Sequence, residues 1–206
     1  RWLTGYAPGV KGDLFPENTG VLLKKNERLL LELHYTAYGK ETTDQTQVGL
    51  YLAEGNLEHS FRTGLFIDES IKIPPHDRAF EWSQTRDIKE DIILYAMNPH
   101  MHFRGKSMRF ELMTPDGNRE TLVSVPHYNF NWQHTYVLQQ PRRVPKGSKL
   151  TLHSVWDNSD RNPANPDPSR EVPWGEQSFD EMFFGTYQFV RDQGQSLPGD
   201  LLSSLK

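Results

Sequence analysis

The segment IILYAMNPHMHF, residues 92–103, is an apolar run that ends in two histidines separated by one residue. Its length and its aliphatic and aromatic side chains are typical of a buried strand. Because side chains alternate between the two faces of a strand, His100 and His102 should project from one face with Cα atoms roughly 6.5–7 Å apart. Met97 and Met101 fall on the other face and are expected to pack in the core. Two imidazoles at this spacing can reach one metal ion.

The His100–His102 pair has two interpretations from the residues alone. Neutral imidazoles with open coordination positions suit copper, zinc, iron or nickel. The alternative is a pair of surface histidines beside a turn, since Arg104-Gly105-Lys106 follows directly. A methionine ligand would favour copper, because soft sulfur stabilises Cu(I). That methionine would have to come from elsewhere in the chain.

Short apolar segments on both sides of this run predict an all-β protein. Clusters of Gly, Pro, Asn and Asp separate them, with hairpin turns expected at residues 114–118 and 145–148 and a long loop at residues 157–177. Helical periodicity is weak except at the C-terminus, where we expect a short helix in residues 199–206. The predicted strands outside the quoted segment are residues 29–35, 48–52, 64–67, 108–113, 121–125, 135–138, 149–156 and 181–189.

The tandem prolines Pro74 and Pro75 predict a domain boundary, because proline cannot donate to a strand ladder. We place the boundary near residue 70. The expected architecture is two jelly-roll-like antiparallel β-sandwich domains, the first of them incomplete in this chain. The predicted divisions are the back part of the first domain at 1–70, the second domain at 71–192 and a tail at 193–206.

Composition excludes several classes of protein. The net charge is −4 with no block of like charge, so no nucleic-acid groove or polybasic membrane patch is expected. No apolar run approaches the ~20 residues that span a bilayer. The sequence has no cysteine, which excludes disulfides, thiolate metal sites, iron–sulfur clusters and covalently attached haem. Any metal must therefore be held by His, Met, Asp or Glu.

The remaining motifs are less informative. His34 ends an apolar segment, where a hydrogen-bonded, half-buried histidine is the ordinary expectation. The aromatic run at residues 128–132 is expected to be core or cavity wall. Residues 157–160 lack the glycine and the distal glutamate of a calcium-binding EF-hand loop. No Gly-rich phosphate loop, Gly-x-Ser-x-Gly elbow or HExxH motif occurs.

The segment HMHFRGK, residues 100–106, resembles the His-x-His-x-x-Gly-Lys/Arg segment of the type II, ascorbate-dependent copper monooxygenases, especially their bacterial members. The Asp180-Glu181-Met182 segment is similar to the Asp/Glu-Glu-Met of that family. The resemblance continues in order over nearly the whole chain. The other matching segments are residues 5–9, 31–35, 73–75 and 144–147.

This resemblance implies two copper sites in the complete protein. The oxygen-binding copper would be held by His100, His102 and Met182, and His34 would be one of three histidine ligands of an electron-transfer copper. The other two ligands form a His-His pair in the family, and this sequence contains none. We therefore expect a preceding N-terminal segment, or a partner chain, to supply that pair.

The implied activity is hydroxylation of a C–H bond of an unidentified small molecule, with O2 and a one-electron donor such as ascorbate or a redox partner. Asn98, Phe184 and Thr186 stand where the peptide-amidating member anchors a carboxylate, so peptide amidation is not expected. One alternative is a non-catalytic copper-binding or redox-partner module, and the other is a metal-free β-sandwich interaction domain. The chemistry and the family predict a periplasmic, secreted or cell-surface location.

Overall fold

The computed structural model describes residues 3–6, 12, 15–35, 37–55 and 57–194. In these residues the regular secondary structure consists of strands, and there is no helix long and apolar enough to cross a membrane. The strands are β1 Thr19–Gly20, β2 His59–Ser60, β3 Arg62–Ile67, β4 Lys72–Ile73, β5 Phe80–Asp87, β6 Ile92–His100, β7 Gly105–Met113, β8 Arg119–Val125, β9 Tyr136–Val144, β10 Lys149–Trp156, β11 Val172–Pro173 and β12 Phe184–Arg191.

Two four-stranded antiparallel sheets make up a sandwich. The first sheet has the order β5-β10-β7-β8 and the second has the order β3-β12-β6-β9. Apart from the β7–β8 hairpin, successive long strands alternate between the two sheets, as in a jelly roll. The all-β antiparallel sandwich predicted from the sequence is confirmed.

The core lies between the two sheets. Phe66 of β3 meets Phe110 of β7 edge to face, with ring centroids 5.9 Å apart. In β7 and β10 the buried residues alternate with more accessible ones, as in strands with one face in a core. Such alternation follows from the period of a strand, and it is why the segments predicted at 108–113 and 149–156 are both found.

Strand β6 is the exception, because it is buried on both faces. Its inner side chains join the main core, while Ile93, Tyr95 and Ala96 face a second apolar cluster on the outer side of the sheet. The register between β6 and β9 shifts between Leu94 and Ala96, which marks a bulge. The bulge precedes the histidines, and β6 ends at His100, two residues before His102.

Both predicted hairpin turns are present. The Thr114 N–H donates to the Asn118 carbonyl at 2.9 Å, and Gly117 adopts a φ of +88° that favours glycine. Between β9 and β10, the Ser148 N–H donates to the Pro145 carbonyl at 3.2 Å. The loop at residues 157–177 is also found, and it contains the short β11.

The predicted strands at residues 29–35 and 48–52 are wrong. Neither segment is a strand, and Leu30 and Tyr51 are 95% and 100% exposed. A strand needs a neighbour to pair its backbone N–H and C=O groups, and no described residue pairs with these segments. The helix expected at residues 199–206 lies outside the described residues. The division into domains stays a prediction, although β3, which precedes residue 70, pairs with β12 along its length.

Strand β5 was missed by the sequence analysis. Its side chains alternate between half-buried and exposed, but two of the inward ones are Gln84 and Arg86. Gln84 Nε2 donates to the Ile67 carbonyl at 3.0 Å, and Arg86 Nε donates to the Leu65 carbonyl at 3.2 Å. These polar side chains face β3, so the apolar alternation that reveals a strand is lost.

Candidate metal centre

The two histidines of the quoted segment lie together at the end of β6. Their ring centroids are 5.2 Å apart and the rings are nearly perpendicular, at 89°. Met97 and Met101, predicted to pack on the opposite face, are both fully buried in the core. The alternation of the strand therefore sends the imidazoles to one side and the thioethers to the other.

Each histidine has its Nδ1 atom next to an oxygen. His100 Nδ1 lies 2.6 Å from Gln133 Oε1, and His102 Nδ1 lies 3.3 Å from the Asp180 carbonyl oxygen. The oxygen beside His100 Nδ1 accepts a hydrogen bond, so this nitrogen carries the hydrogen and His100 Nε2 keeps a lone pair. The His102 ring has the Gln177 backbone as a further hydrogen-bond partner. A lone pair on Nε2 is what a metal ion requires of a neutral histidine.

Burial keeps both imidazoles in that neutral form. It lowers the pKa of His100 to about 4, with the neighbouring His102 as the next cause. Burial likewise lowers the pKa of His102, against the opposing hydrogen bond to the Asp180 carbonyl. Both rings are therefore uncharged at pH 7, which removes the need to displace a proton when a metal binds.

Met182 lies two residues before β12, the strand that pairs with β6. Strand β12 begins at Phe184, which is paired with His100. Met182 is half-buried like Phe184, while the intervening Phe183 is fully buried. Two imidazole nitrogens and a thioether are a donor set that suits copper, so the residues fit that metal.

A buried carboxylate holds the turn that carries His102. Glu181 is fully buried and accepts hydrogen bonds from the backbone N–H of His102 at 2.9 Å and of Arg104 at 2.6 Å. Its Oε2 also accepts from Trp156 Nε1 at 2.9 Å. Burial raises the pKa of Glu181 to about 7, although these donors and the Arg104 charge oppose the shift. This structural role of Glu181 was not predicted from the sequence.

The fully buried Arg104 extends the same network into the long loop. Its Nε donates to Asn158 Oδ1 at 2.8 Å, and its Nη1 donates to the Phe179 carbonyl at 2.7 Å. Phe179 lies three residues before Met182 in the chain. The guanidinium therefore connects the segment with the two histidines to the segment with the methionine.

Residues 126–135, which we call the aromatic loop, cover the other side of the histidines. The Tyr128 hydroxyl accepts from the Met101 N–H at 3.0 Å and donates to the Met101 carbonyl at 2.7 Å. The Phe130 ring lies edge to face against His102 at 6.0 Å. A Cβ on Gly105 would lie 2.6 Å from the Tyr128 ring, so this close approach requires glycine. The aromatic run predicted as core or cavity wall lies against the candidate centre.

His34 has different surroundings. Its ring is half exposed and its Nε2 lies 2.8 Å from Glu32 Oε1. Potential ligand atoms of Glu32, His34 and Glu176 lie within 4.8 Å of one another, and among the described residues this is the group of three or more His, Asp or Glu side chains close enough to hold a metal. His34 is near enough to the candidate centre to contribute to the lowered pKa of both His100 and His102. Its expected role in a three-histidine site stays a prediction.

Comparisons with known proteins point to a copper-dependent family. The family described as copper type II ascorbate-dependent monooxygenase, C-terminal domain, matches residues 60–187, which is more than half of the chain. The chain is 25% identical over 159 residues to the tyramine beta-hydroxylase of Caenorhabditis briggsae, a match covering 67% of this chain and 26% of that protein. The chain thus spans about a quarter of the length of this relative.

Solved structures offer weaker likenesses. The infectious bursal disease virus VP2 subviral particle matches with a TM-score of 0.32 and 10% identity, over 66% of this chain and 33% of that chain. The Gx strain of the same virus also matches with a TM-score of 0.32, at 9% identity, over 68% of this chain and 34% of that chain. TM-scores this low do not establish a common fold.

Proposed function

Since the chain belongs to the copper type II ascorbate-dependent monooxygenase family, we propose that His100, His102 and Met182 bind the copper at which a substrate C–H bond is hydroxylated. O2 would be the oxidant, and ascorbate or another one-electron donor would supply electrons. The observation that carries this proposal is that two neutral imidazole rings lie 5.2 Å apart, and that the acceptor at His100 Nδ1 leaves His100 Nε2 free for a metal.

The bound copper would supply one-electron redox chemistry with O2. The residues of the chain contribute the geometry. His100 and His102 present neutral nitrogens, and the soft Met182 sulfur favours the reduced ion while leaving room in the coordination sphere. Glu181 fixes the turn between the two ligand segments, and Phe130 shields His102 from bulk water.

The substrate would approach across the outer face of β6, beside His100. Phe184 lies edge to face with the His100 ring at 5.8 Å. Asn98 is paired with Thr186 in the sheet, and its Nδ2 donates to Thr135 Oγ1 at 3.4 Å. These neighbours offer an aromatic surface and neutral hydrogen-bonding groups. We infer a small substrate recognised without a carboxylate anchor, which argues against peptide amidation.

The proposal extends to the complete protein. His34 would be one ligand of a second, electron-transfer copper, and a preceding segment or a partner chain would supply the His-His pair that this sequence lacks. O2, the substrate and an electron donor would be the small-molecule partners, and a redox partner protein would be an alternative donor. We place the protein outside the cytoplasm, in the periplasm, on the cell surface or secreted.

Copper titration of the chain tests this proposal. We expect one tightly bound Cu(I) per chain, with sulfur in its first coordination shell by X-ray absorption. His100→Ala should abolish binding, whereas His127→Ala, which changes an exposed histidine of the aromatic loop, should leave it unchanged.

The competing functions give different results. A metal-free interaction domain would bind no copper, and His100→Ala would be silent. A redox-partner module would bind copper, but the complete protein would consume no O2 when ascorbate and candidate substrates are supplied. Two coppers per complete protein with ascorbate-driven O2 consumption would support the monooxygenase.

A further inference from the structure

The side-chain amide of Gln133 has a fixed orientation. Its Nε2 donates to the Phe130 carbonyl at 2.7 Å, and its Oε1 lies 2.6 Å from His100 Nδ1. If the amide were turned over, Oε1 would face the Phe130 carbonyl, and two acceptors would be opposed. The Phe130 carbonyl therefore directs Gln133 Oε1 toward His100.

This orientation decides which nitrogen of His100 carries the hydrogen. A neutral histidine without such a partner exchanges between its two tautomers, and the hydrogen bond made by one nitrogen determines the state of the other. With an acceptor at Nδ1, His100 is held with its hydrogen on Nδ1 and its lone pair on Nε2. At His102 the corresponding acceptor is the Asp180 main-chain oxygen, which no side-chain substitution removes.

The loop that carries Gln133 is anchored independently of any metal. The Trp132 N–H donates to the Asn129 carbonyl at 2.8 Å, and the Asn131 N–H donates to Asn129 Oδ1 at 2.9 Å. Tyr128 fastens the loop to both backbone groups of Met101, the neighbour of His100. The aromatic loop is therefore hydrogen-bonded to the backbone of Met101, next to the histidine whose ring it orients.

We propose that Gln133 is a positioning residue that sets the His100 tautomer before copper binds. The inference rests on the proposed function, because it concerns the same site. Gln133 does not touch the metal position itself and acts through the His100 ring. Its contribution is to present Nε2 in its metal-binding form, so that binding need not reorganise the imidazole.

Ring-nitrogen NMR of the metal-free chain tests the inference directly. In the unchanged chain, His100 should show a protonated Nδ1 and an unprotonated Nε2. Gln133→Leu keeps a similar volume and removes the acceptor, so the hydrogen should move in large part to Nε2. Cu(I) affinity, measured by competition with a chromophoric chelator, should fall roughly 10- to 100-fold.

Two further variants separate positioning from structure. Gln133→Glu retains an acceptor beside Nδ1 and should keep the Nδ1–H tautomer and most of the Cu(I) affinity. Its second oxygen would face the Phe130 carbonyl, so this variant should have the lower thermal stability. Asn131→Ala changes an exposed side chain in the same loop and should alter neither. Thermal unfolding of all variants controls for loss of the fold.

The outcomes distinguish this inference from the proposed function. An unchanged His100 tautomer and unchanged Cu(I) affinity in Gln133→Leu would overturn the inference, even if the chain binds copper as proposed. A tautomer change in Gln133→Leu, combined with no Cu(I) binding by the unchanged chain, would instead count against the proposed function. A tautomer change together with weakened Cu(I) binding would support both.

Discussion

Two segments of this chain have nearly the same sequence pattern but differ in structure. Residues 29–35 and residues 92–100 are both apolar runs that end at or next to a histidine. The second is β6, central in its sheet between β12 and β9, with Ile93 fully buried. The first is no strand, and Leu30 is 95% exposed. Apolar character marks a segment that can become a strand, but the strand forms only where a neighbour pairs with it.

The same contrast extends to the histidines. His100 is held by Gln133 through Nδ1, and burial lowers its pKa to about 4. His34 is half exposed and bonded to a carboxylate only two residues away in the chain. The sheet thus buries His100 and orients its ring, whereas His34 stays half exposed beside carboxylates.

Hydrogen exchange should show the largest difference between the two segments. Amides in the middle of β6 should be protected by a free energy close to that of global unfolding, about 5–15 kcal/mol for a typical domain. Amides of residues 29–35 should exchange near the rate of an unstructured peptide, because no described backbone group bonds to them. Native-state exchange followed by mass spectrometry measures both. Comparable protection in the two segments would contradict the contrast.

Removing a carboxylate from each region should give the next largest effect. Glu181→Ala leaves three buried N–H donors without their acceptor and leaves the buried Arg104 without its counter-charge. We expect the free energy of unfolding to fall by about 3–5 kcal/mol, measured by denaturant titration. Glu32→Ala, which removes the exposed partner of His34, should cause no measurable change. Equal losses in the two variants would show that the buried network is not the stabilising one.

The pH dependence of the metal-free chain should give a smaller effect. The pKa of His100 is about 4 in the folded chain and near 6.5 when unfolded, so the unfolded state takes up the proton first. Above pH 6.5 His100 is neutral in both the folded and the unfolded state, and its contribution to the free energy of unfolding is constant. As the pH falls toward 4, this free energy should decrease by up to about 3 kcal/mol. His100→Gln should flatten this part of the profile, whereas His34→Gln should not. Identical profiles for the unchanged chain and His100→Gln would contradict the shifted pKa.

The parts of the candidate site that depend on the alternation of side chains along a strand could be predicted from the sequence. Alternation placed His100 and His102 on one face, and Met97 and Met101 on the other, because such alternation requires only that the segment be extended. Turn chemistry likewise located both hairpins. The resemblance to a family, rather than any spacing, singled out Met182.

Long-range contacts could not be predicted in this way. Glu181 lies 79 residues from His102, and Gln133 lies 33 residues from His100. No repeating sequence pattern connects residues so far apart. Glutamate and glutamine are also common on protein surfaces, so neither residue stands out. Strand β5 was hidden because Gln84 and Arg86 face inward, and the strands expected before residue 55 failed because pairing depends on a neighbour.

The position of β12 has a consequence for how the protein is made. Among the described residues β12 is the last strand in chain order, and it lies in the interior of its sheet, between β3 and β6. The residues just before it include Glu181 and Met182. A nascent chain that has emerged only as far as residue 180 carries both histidines, but neither the carboxylate that fixes their turn nor the thioether. The carboxylate that fixes the turn of His102 is therefore supplied only when β12 and the segment just before it have been made.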